Sequence, residues 1–458
     1  MNDTTPTNKY WQSLEQWRND PEFQKLAEQE FMSSPIRDTA GGLDSSEGGW
    51  ARREFLKLMG ASLALTSFGC VRRPAEKIVP YVKKPQGMIE GIANYYSSSW
   101  ADGSEVFGLV VKTREGRPIK VEGNPLHPLN LGGMSARAHS HILSLYDPDR
   151  LSAPVRQLFN EKRSNSDSVS TTFEKADAAI AEQLKKGGVA ILSTSVVSPS
   201  LQSVMSEFRG AYGARQYTYD VMGAEKMRQA QDLSYGSKVI PRFRFDKAKM
   251  VVSVGADFLG TYIAPTEFQK AFSKMRNPDG EMNKLVVFEP LLTLTGANAD
   301  FRTRIRPSQM ADVLLGLMHE LAVNQKVTRY AGDGSVTNIL KGYSDVAGQI
   351  GLSAEVFAEI AKELYANRGQ SIVIAGEDLR AQVAANLLNS ALGNDGAMID
   401  SRNAYTGFQG STEELVRLVS DINSGAVKTL FVHGANFIYS VPEKLGLAEA
   451  LRKVEMLI

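Results

Sequence analysis

The sequence predicts an α/β fold in which parallel-sheet, Rossmann-like domains follow a small N-terminal β-hairpin unit. Three observations carry this. From about Ser166 onward, apolar runs of four or five residues alternate with stretches of helical period. The runs are apolar throughout, as in Val189-Ala190-Ile191-Leu192 and Met250-Val251-Val252-Ser253-Val254, which is the pattern of strands buried on both faces. The one clear hairpin, Phe107–Lys112 and Pro118–Gly123 joined through Glu115-Gly116-Arg117, precedes them all.

Taken in order, residues 1–50 place Trp11, Leu14 and Trp17, then Phe23, Leu26 and Phe31, at helical spacings. They predict two short amphipathic helices, the second opened by Asp20-Pro21. The aromatic residues either pack those helices or dock a partner. Residues 32–50 are rich in Ser, Gly and Asp and read as a tether.

Residues 51–70 carry Arg52-Arg53-Glu54-Phe55-Leu56-Lys57 and then an apolar run from Leu58. Every charge precedes Leu58 and none appears from there to Cys70, whereas an amphipathic helix would spread charge along one face. The run falls short of the ~20 apolar residues that span a bilayer. It reads as a displaced twin-arginine export signal carried by Arg52, Arg53, Phe55, Leu56 and Lys57. That route moves folded proteins and implies the periplasmic side of the inner membrane. Cys70, the only cysteine, follows Gly69 at the end of the run, as in a lipoprotein cleavage site. Ser67 stands where such a site usually has an apolar residue, so Cys70 is either acylated, anchoring the protein to the membrane surface, or a plain free thiol.

Composition narrows the rest. With 43% hydrophobic residues the chain can bury a sizeable core, and 52 basic against 51 acidic residues leave no electrostatic footprint for nucleic acid. One cysteine excludes disulfides within the chain and clusters held by several thiolates. Residues 71–160 form a small β-rich domain, in which Val71–Trp100 reads as an extended segment ahead of the hairpin. Residues 161–458 form the α/β part. Helices are expected at Phe173–Leu184, Leu201–Tyr212, Thr266–Met275, Met310–Asn324, Ala354–Ala366 and Arg380–Leu392. Further strands are expected at Leu285–Phe288, Ser371–Ile374 and Thr429–Val432.

One internal echo stands out. Val252-Ser253-Val254-Gly255-Ala256-Asp257-Phe258 resembles Phe431-Val432-His433-Gly434-Ala435-Asn436-Phe437, each at the C-terminal end of a predicted strand. Glycine there permits close backbone approach to a ligand, and Asp or Asn can cap the next helix. The pair is either two nucleotide-type cradles or a duplicated turn that binds nothing.

These residues, with Gly116-Arg117-Pro118-Ile119-Lys120-Val121-Glu122-Gly123-Asn124-Pro125, His127-Pro128, Leu145-Tyr146-Asp147-Pro148-Asp149-Arg150-Leu151, Glu289-Pro290 with Thr293, and Ile305-Arg306-Pro307, resemble the molybdopterin oxidoreductase superfamily from about Phe107 onward. The resemblance implies large subunits holding a bis-molybdopterin guanine dinucleotide and, usually, one cubane cluster. It places degenerate pterin loops at Gly255, Asp257, Glu289, Gly434 and Asn436.

The departures from the family pattern bear on function. Its cysteine positions fall on Trp100, Gly103, Phe107 and Ser135, and of its basic position between cluster and pterin Arg137 remains. Its Asp-Pro-Arg reads Glu289-Pro290-Leu291, without the bidentate phosphate donor. Ser193, Ser195, Ser198 and Asp220 lie in the stretch that would offer a metal ligand, and read more simply as caps and turns. His139 and His141 alternate and could share a strand face, and His127 and His433 match family turn positions without a chemical role.

The displaced signal after a Tyr10-Trp11-Gln12-Ser13-Leu14 opening, on a scaffold without cluster ligands, resembles the B subunits of alternative complex III. That resemblance implies a non-catalytic scaffold with no cofactor in this segment. Its partners would be an iron-sulfur, ferredoxin-like half or subunit, a membrane quinol-oxidising subunit and cytochrome c subunits. The close at Lys453–Ile458 in another apolar run reads as a truncated or split subunit. The alternatives are an active molybdenum or tungsten bis-pterin oxidoreductase and an exported α/β binding protein for a small polar ligand.

Overall fold

The computed structural model describes residues 89, 91–159, 166–280 and 282–458. The expected N-terminal helices and tether, the signal at Arg52, Arg53, Phe55, Leu56 and Lys57, and Cys70 lie outside the described residues. What is described falls within the unit Pro85–Ile458.

The hairpin forms as the sequence predicts. Glu115 and Gly116 adopt φ of 50° and 78°, the doubly left-handed geometry whose twist matches the strands of a two-residue hairpin. It joins β2 (Glu105–Arg114) to β3 (Arg117–Gly123), and β1 (Asn94–Asp102) pairs antiparallel to the other side of β2. The segment expected to be merely extended thus ends as a third strand. Ser97-Ser98-Ser99 hides its alternation, because few of its residues are buried. A short hairpin, β4 (Val155–Phe159) and β5 (Ser166–Ser170), leads on.

The remaining strands are β6 (Val189–Ser193), β7 (Arg215–Thr218), β8 (Ile240–Phe243), β9 (Met250–Val254), β10 (Lys284–Glu289), β11 (Phe301–Arg304), β12 (Ser371–Ala375), β13 (Ile399–Tyr405), β14 (Thr429–His433) and β15 (Met456–Leu457). They build two wholly parallel four-stranded sheets, ordered β11-β10-β9-β12 and β15-β14-β6-β7, and an antiparallel pair β8/β13. The second sheet is discontinuous in sequence. Its first two strands precede the whole of the first sheet, and its last two follow it.

Burial on both faces explains the unbroken apolar runs. Met250, Val252 and Val254 of β9 point into one core with Val286, Phe288 and Val373, while Val251 points into another with Leu285, Val287 and Ile372. Each such side chain contributes roughly 1.5–3 kcal/mol by leaving water. Helices cover the sheets close to the expected bounds: Phe173–Leu184, Pro199–Tyr212, Pro265–Ser273, Met310–His319 continuing as a π-helix through Asn324, Ala354–Ala366 and Leu379–Ala391. At the edge strand β12, Asn389 takes the place of a neighbouring strand. Its Oδ1 accepts from the Val373 N–H at 3.0 Å and its Nδ2 donates to the Val373 carbonyl at 2.7 Å.

Candidate functional site

Both sheets grow outward from their middle. In the first, the chain passes from β9 to β10 and β11, then returns to place β12 on the other side of β9. In the second, β6 is followed by β7, and β14 later joins its free side. Each reversal leaves a crevice beyond the strand C-termini, the place where open α/β sheets receive ligands. The two echoing loops occupy these positions, Gly255 following β9 and Gly434 following β14.

Their geometry accounts for the glycines without a ligand. Gly255 sits at φ 71° and Gly434 at φ 84°. A Cβ would lie 2.3 Å from Met310 Sδ at the first and 2.8 Å from Thr194 Oγ1 at the second. The acidic residues are equally committed. Asp257 Oδ1 accepts from the Thr295 N–H at 3.0 Å and its hydroxyl at 2.8 Å, tying the loop after β9 to the loop after β10. Glu289, 2% exposed, accepts from the Thr293 N–H at 3.2 Å, the Thr293 hydroxyl at 2.6 Å and Arg302 Nε at 2.6 Å. Asn436 caps the turn Phe437–Ser440 through the Tyr439 N–H. Leu291 points into solvent, 75% exposed.

The positions that match the family's cluster ligands do converge. Trp100 and Phe107, on β1 and β2, stack nearly parallel with centroids 5.8 Å apart, over a small core with Leu109, Val121 and Ala138. Gly103 sits at φ 57° in the turn between these strands. Ser135 caps the helix Ala136–Ser140, its hydroxyl accepting from the Ala138 N–H. Arg137 on that helix lies over the Trp100 ring and pairs with Glu105 at 2.6 Å and Asp102 at 3.2 Å.

The remaining sequence candidates act as ties. Ser195 Oγ donates to Asp220 Oδ2 at 2.5 Å and accepts from the Gln409 N–H at 2.6 Å, while the Gly410 N–H donates to Asp220 Oδ2 at 2.9 Å. Ser193 is fully buried on β6, and Ser198 caps the helix Pro199–Tyr212. The expectation of a shared strand face for His139 and His141 is corrected. His139 lies on the helix Ala136–Ser140 and His141 begins the 3-10 turn after it, because the Ser135 cap starts a helix there. Among the described residues, no group of three or more His, Cys, Asp or Glu is placed to hold a metal.

Between the small sheet and the strand ends lies a cleft of about 830 Å³, counted to its open mouth. Ser104–Phe107 line one wall, Val197 and Ile263–Glu267 from the loops after β6 and β9 another, and Ala404–Phe408 a third. Arg242 crosses it, paired with Glu267 at 2.9 Å and lying 4.3 Å from the centroid of the Tyr405 ring. Burial, reinforced by the Glu267 charge, pushes the Tyr405 phenol well above its usual range, so it stays protonated. The sequence offered no signal for this constellation, since its members come from separate segments without a local motif.

A menaquinone reductase molybdopterin-binding-like subunit of Nitratidesulfovibrio vulgaris is 27% identical over 374 residues, 76% of this chain and 53% of that protein. The F420-dependent formate dehydrogenase alpha subunit of Methanocaldococcus jannaschii is 21% identical, covering 77% of this chain and 58% of its own length. The molybdopterin-containing subunit of the arsenate respiratory reductase of Shewanella sp. is 24% identical over 58% of this chain and 32% of its own. These relatives support placing the chain with the molybdopterin oxidoreductase superfamily. It spans a little over half the length of the first two of these superfamily members. Acetylene hydratase from Pelobacter acetylenicus shares the fold, with a TM-score of 0.59 at 14% identity over 79% of this chain and 58% of that one. No protein-family profile matches the chain.

The superfamily's two usual cofactors can be tested against these donors. A cubane cluster needs thiolates, and an indole, a glycine, a phenyl ring and a capping hydroxyl supply none. The residues do not fit a cluster. At the two crevices, Asp257 Oδ1 and the Glu289 carboxylate already accept hydrogen bonds from within the fold.

Proposed function

We propose that this segment is a non-catalytic scaffold within a periplasm-facing, quinol-oxidising electron-transfer complex, a pterin-enzyme fold kept for assembly. The observation that carries the reading is the chemistry at the matching positions: Trp100 and Phe107 stack where the family has cluster cysteines, and Glu289 binds Arg302 and Thr293. In this reading Arg52–Lys57 serves as a twin-arginine signal that carries the protein out of the cytoplasm, and an acylated Cys70 would hold it to the membrane surface. In this reading electrons travel through an iron-sulfur half or subunit, with a membrane quinol-oxidising subunit and cytochrome c subunits as neighbours. The likeness to a subunit of a menaquinone reductase supports a place in quinone-linked electron transfer.

The second reading, an active molybdenum or tungsten oxidoreductase, is favoured by the molybdopterin-binding relatives. Metal and pterin analysis of the protein purified from its native membrane separates the two. The scaffold reading expects no molybdenum, tungsten or pterin with this chain, and iron only in co-purifying partners. Stoichiometric metal with pterin would overturn it.

A further inference from the structure

Among the described residues, five non-glycine residues adopt left-handed backbone. Glu115 belongs to a hairpin turn, and Lys326 closes the π-helical end of a helix, both places where such a residue ends an element. The other three gather at one place. Ile263 (φ 55°) and Phe408 (φ 57°) line the cleft, and Leu131 (φ 45°) follows Leu129 and Asn130, which also line it. For bulky residues, and above all a β-branched one, this conformation is strained, and it persists only where the surroundings enforce it.

The enforcing contacts are visible at Phe408. Its N–H donates to Ser104 Oγ at 2.7 Å, and Arg228 donates to its carbonyl at 3.3 Å. These bonds hold the ring of Phe408 where it forms a wall of the cleft, at the expense of local backbone preference.

Among the polar groups of this largely apolar cleft, Arg242 is equally directed. Arg242 Nε donates to the Asn403 carbonyl at 2.8 Å and Nη1 to Glu267 at 2.9 Å, while Nη2 makes no hydrogen bond with any described residue. The guanidinium charge is already matched by Glu267, so an anionic ligand would meet a carboxylate seated beside its donor. A neutral acceptor meets no such opposition, and aromatic and aliphatic walls favour a ring.

We propose that this cleft binds a planar, uncharged aromatic compound bearing a carbonyl oxygen, packed on Ile263 and Phe408 and hydrogen-bonded by Arg242. Such binding is independent of whether the chain is a scaffold or an enzyme. Titration calorimetry on the full chain with coumarin as the probe tests it, with naphthalene, which lacks the acceptor, and 1-naphthoate, which adds charge, as comparisons. Coumarin should bind saturably at one site, and the other two at least about fivefold more weakly. Phe408→Gly adopts φ 57° without strain, which offsets part of the packing lost where the ring lies on the core, so it should keep the wild-type circular dichroism spectrum at about 25 °C with a lowered melting temperature and bind coumarin about tenfold more weakly or not at all. Arg242→Gln should bring coumarin down to the level of naphthalene. Absence of saturable coumarin binding up to millimolar concentration, unchanged binding in both variants, or naphthoate binding more tightly than coumarin would each overturn the proposal.

Discussion

Replacing Glu289 by leucine separates a carboxylate kept for a ligand from one kept for the fold. The side chain is 2% exposed and accepts three hydrogen bonds, one from a guanidinium whose side chain is 28% exposed. Leucine fills similar volume but accepts nothing. Arg302 then loses its partner, a loss moderated because it can still reach water, and costs about 1–2 kcal/mol. The Thr293 N–H, left without an acceptor, costs about 1 kcal/mol more. The Thr293 hydroxyl keeps its bond from the Gly296 N–H, so its share is smaller. Together these give a destabilisation of about 2–4 kcal/mol, below the cost of breaking a fully buried pair. Guanidinium unfolding followed by circular dichroism reads this as a lowered midpoint at unchanged slope. Repeating the substitution in an Arg302→Leu background should expose a coupling of about 1.5 kcal/mol or more. A shift below about 0.5 kcal/mol in the single variant, with no coupling, refutes the reasoning and returns Glu289 to the pool of ligand-binding groups.

Three further outcomes follow from the same geometry. Ser135→Cys, reconstituted anaerobically with iron and sulfide, should show no cubane EPR signal, because Trp100, Gly103 and Phe107 still supply no thiolate; a cubane signal would mean the ligand positions are misassigned. Asn389→Leu strips β12 of both side-chain bonds to Val373 and should destabilise by about 2–4 kcal/mol with faster amide exchange along that strand, whereas an unchanged exchange pattern would show that the edge needs no cover. Desolvation pushes the Glu377 carboxyl up to about 7 from 4.5, so its contribution is present below pH 4.5 and lost as pH rises to about 7. Glu377 is exposed, which keeps that change small and leaves only its direction. Glu377→Gln should flatten the fall in stability over that window, and an identical pH profile would count against the assignment.

The central parallel strands were legible because every residue in them is buried, so Val189–Ser193 and Met250–Val254 announce themselves without context. The strands that escaped are short or polar on the surface. β1 is mostly exposed and β11 alternates arginine with Phe301 and Thr303, so pairing with a neighbour, not composition, makes them strands. The Gly255 and Gly434 loops were legible as a pair, and their place at two strand-order reversals needed the sheet order, a long-range property. What sequence could not disclose is saturation. Glu289 reads the same whether its oxygens face a ligand or Arg302, thirteen residues on. The cleft was invisible for a related reason, since Arg242, Ile263 and Tyr405 come from distant segments and meet only once β8 has paired with β13.

The interrupted layout of the second sheet also constrains how the molecule comes into being. β6 and β14 pair residue for residue although about 240 positions separate them, and the whole first sheet is made in between. A ribosome delivers β6 and β7 long before β14 exists, so the apolar β6 must wait, open along one edge, for a partner made late. Such a chain cannot be secured piece by piece as it emerges, and a threading machine that drew it through a pore unfolded would impose the same wait on the far side. A transport step placed after folding avoids that second exposure. The order of the strands therefore makes late completion of the second sheet a property of the fold itself.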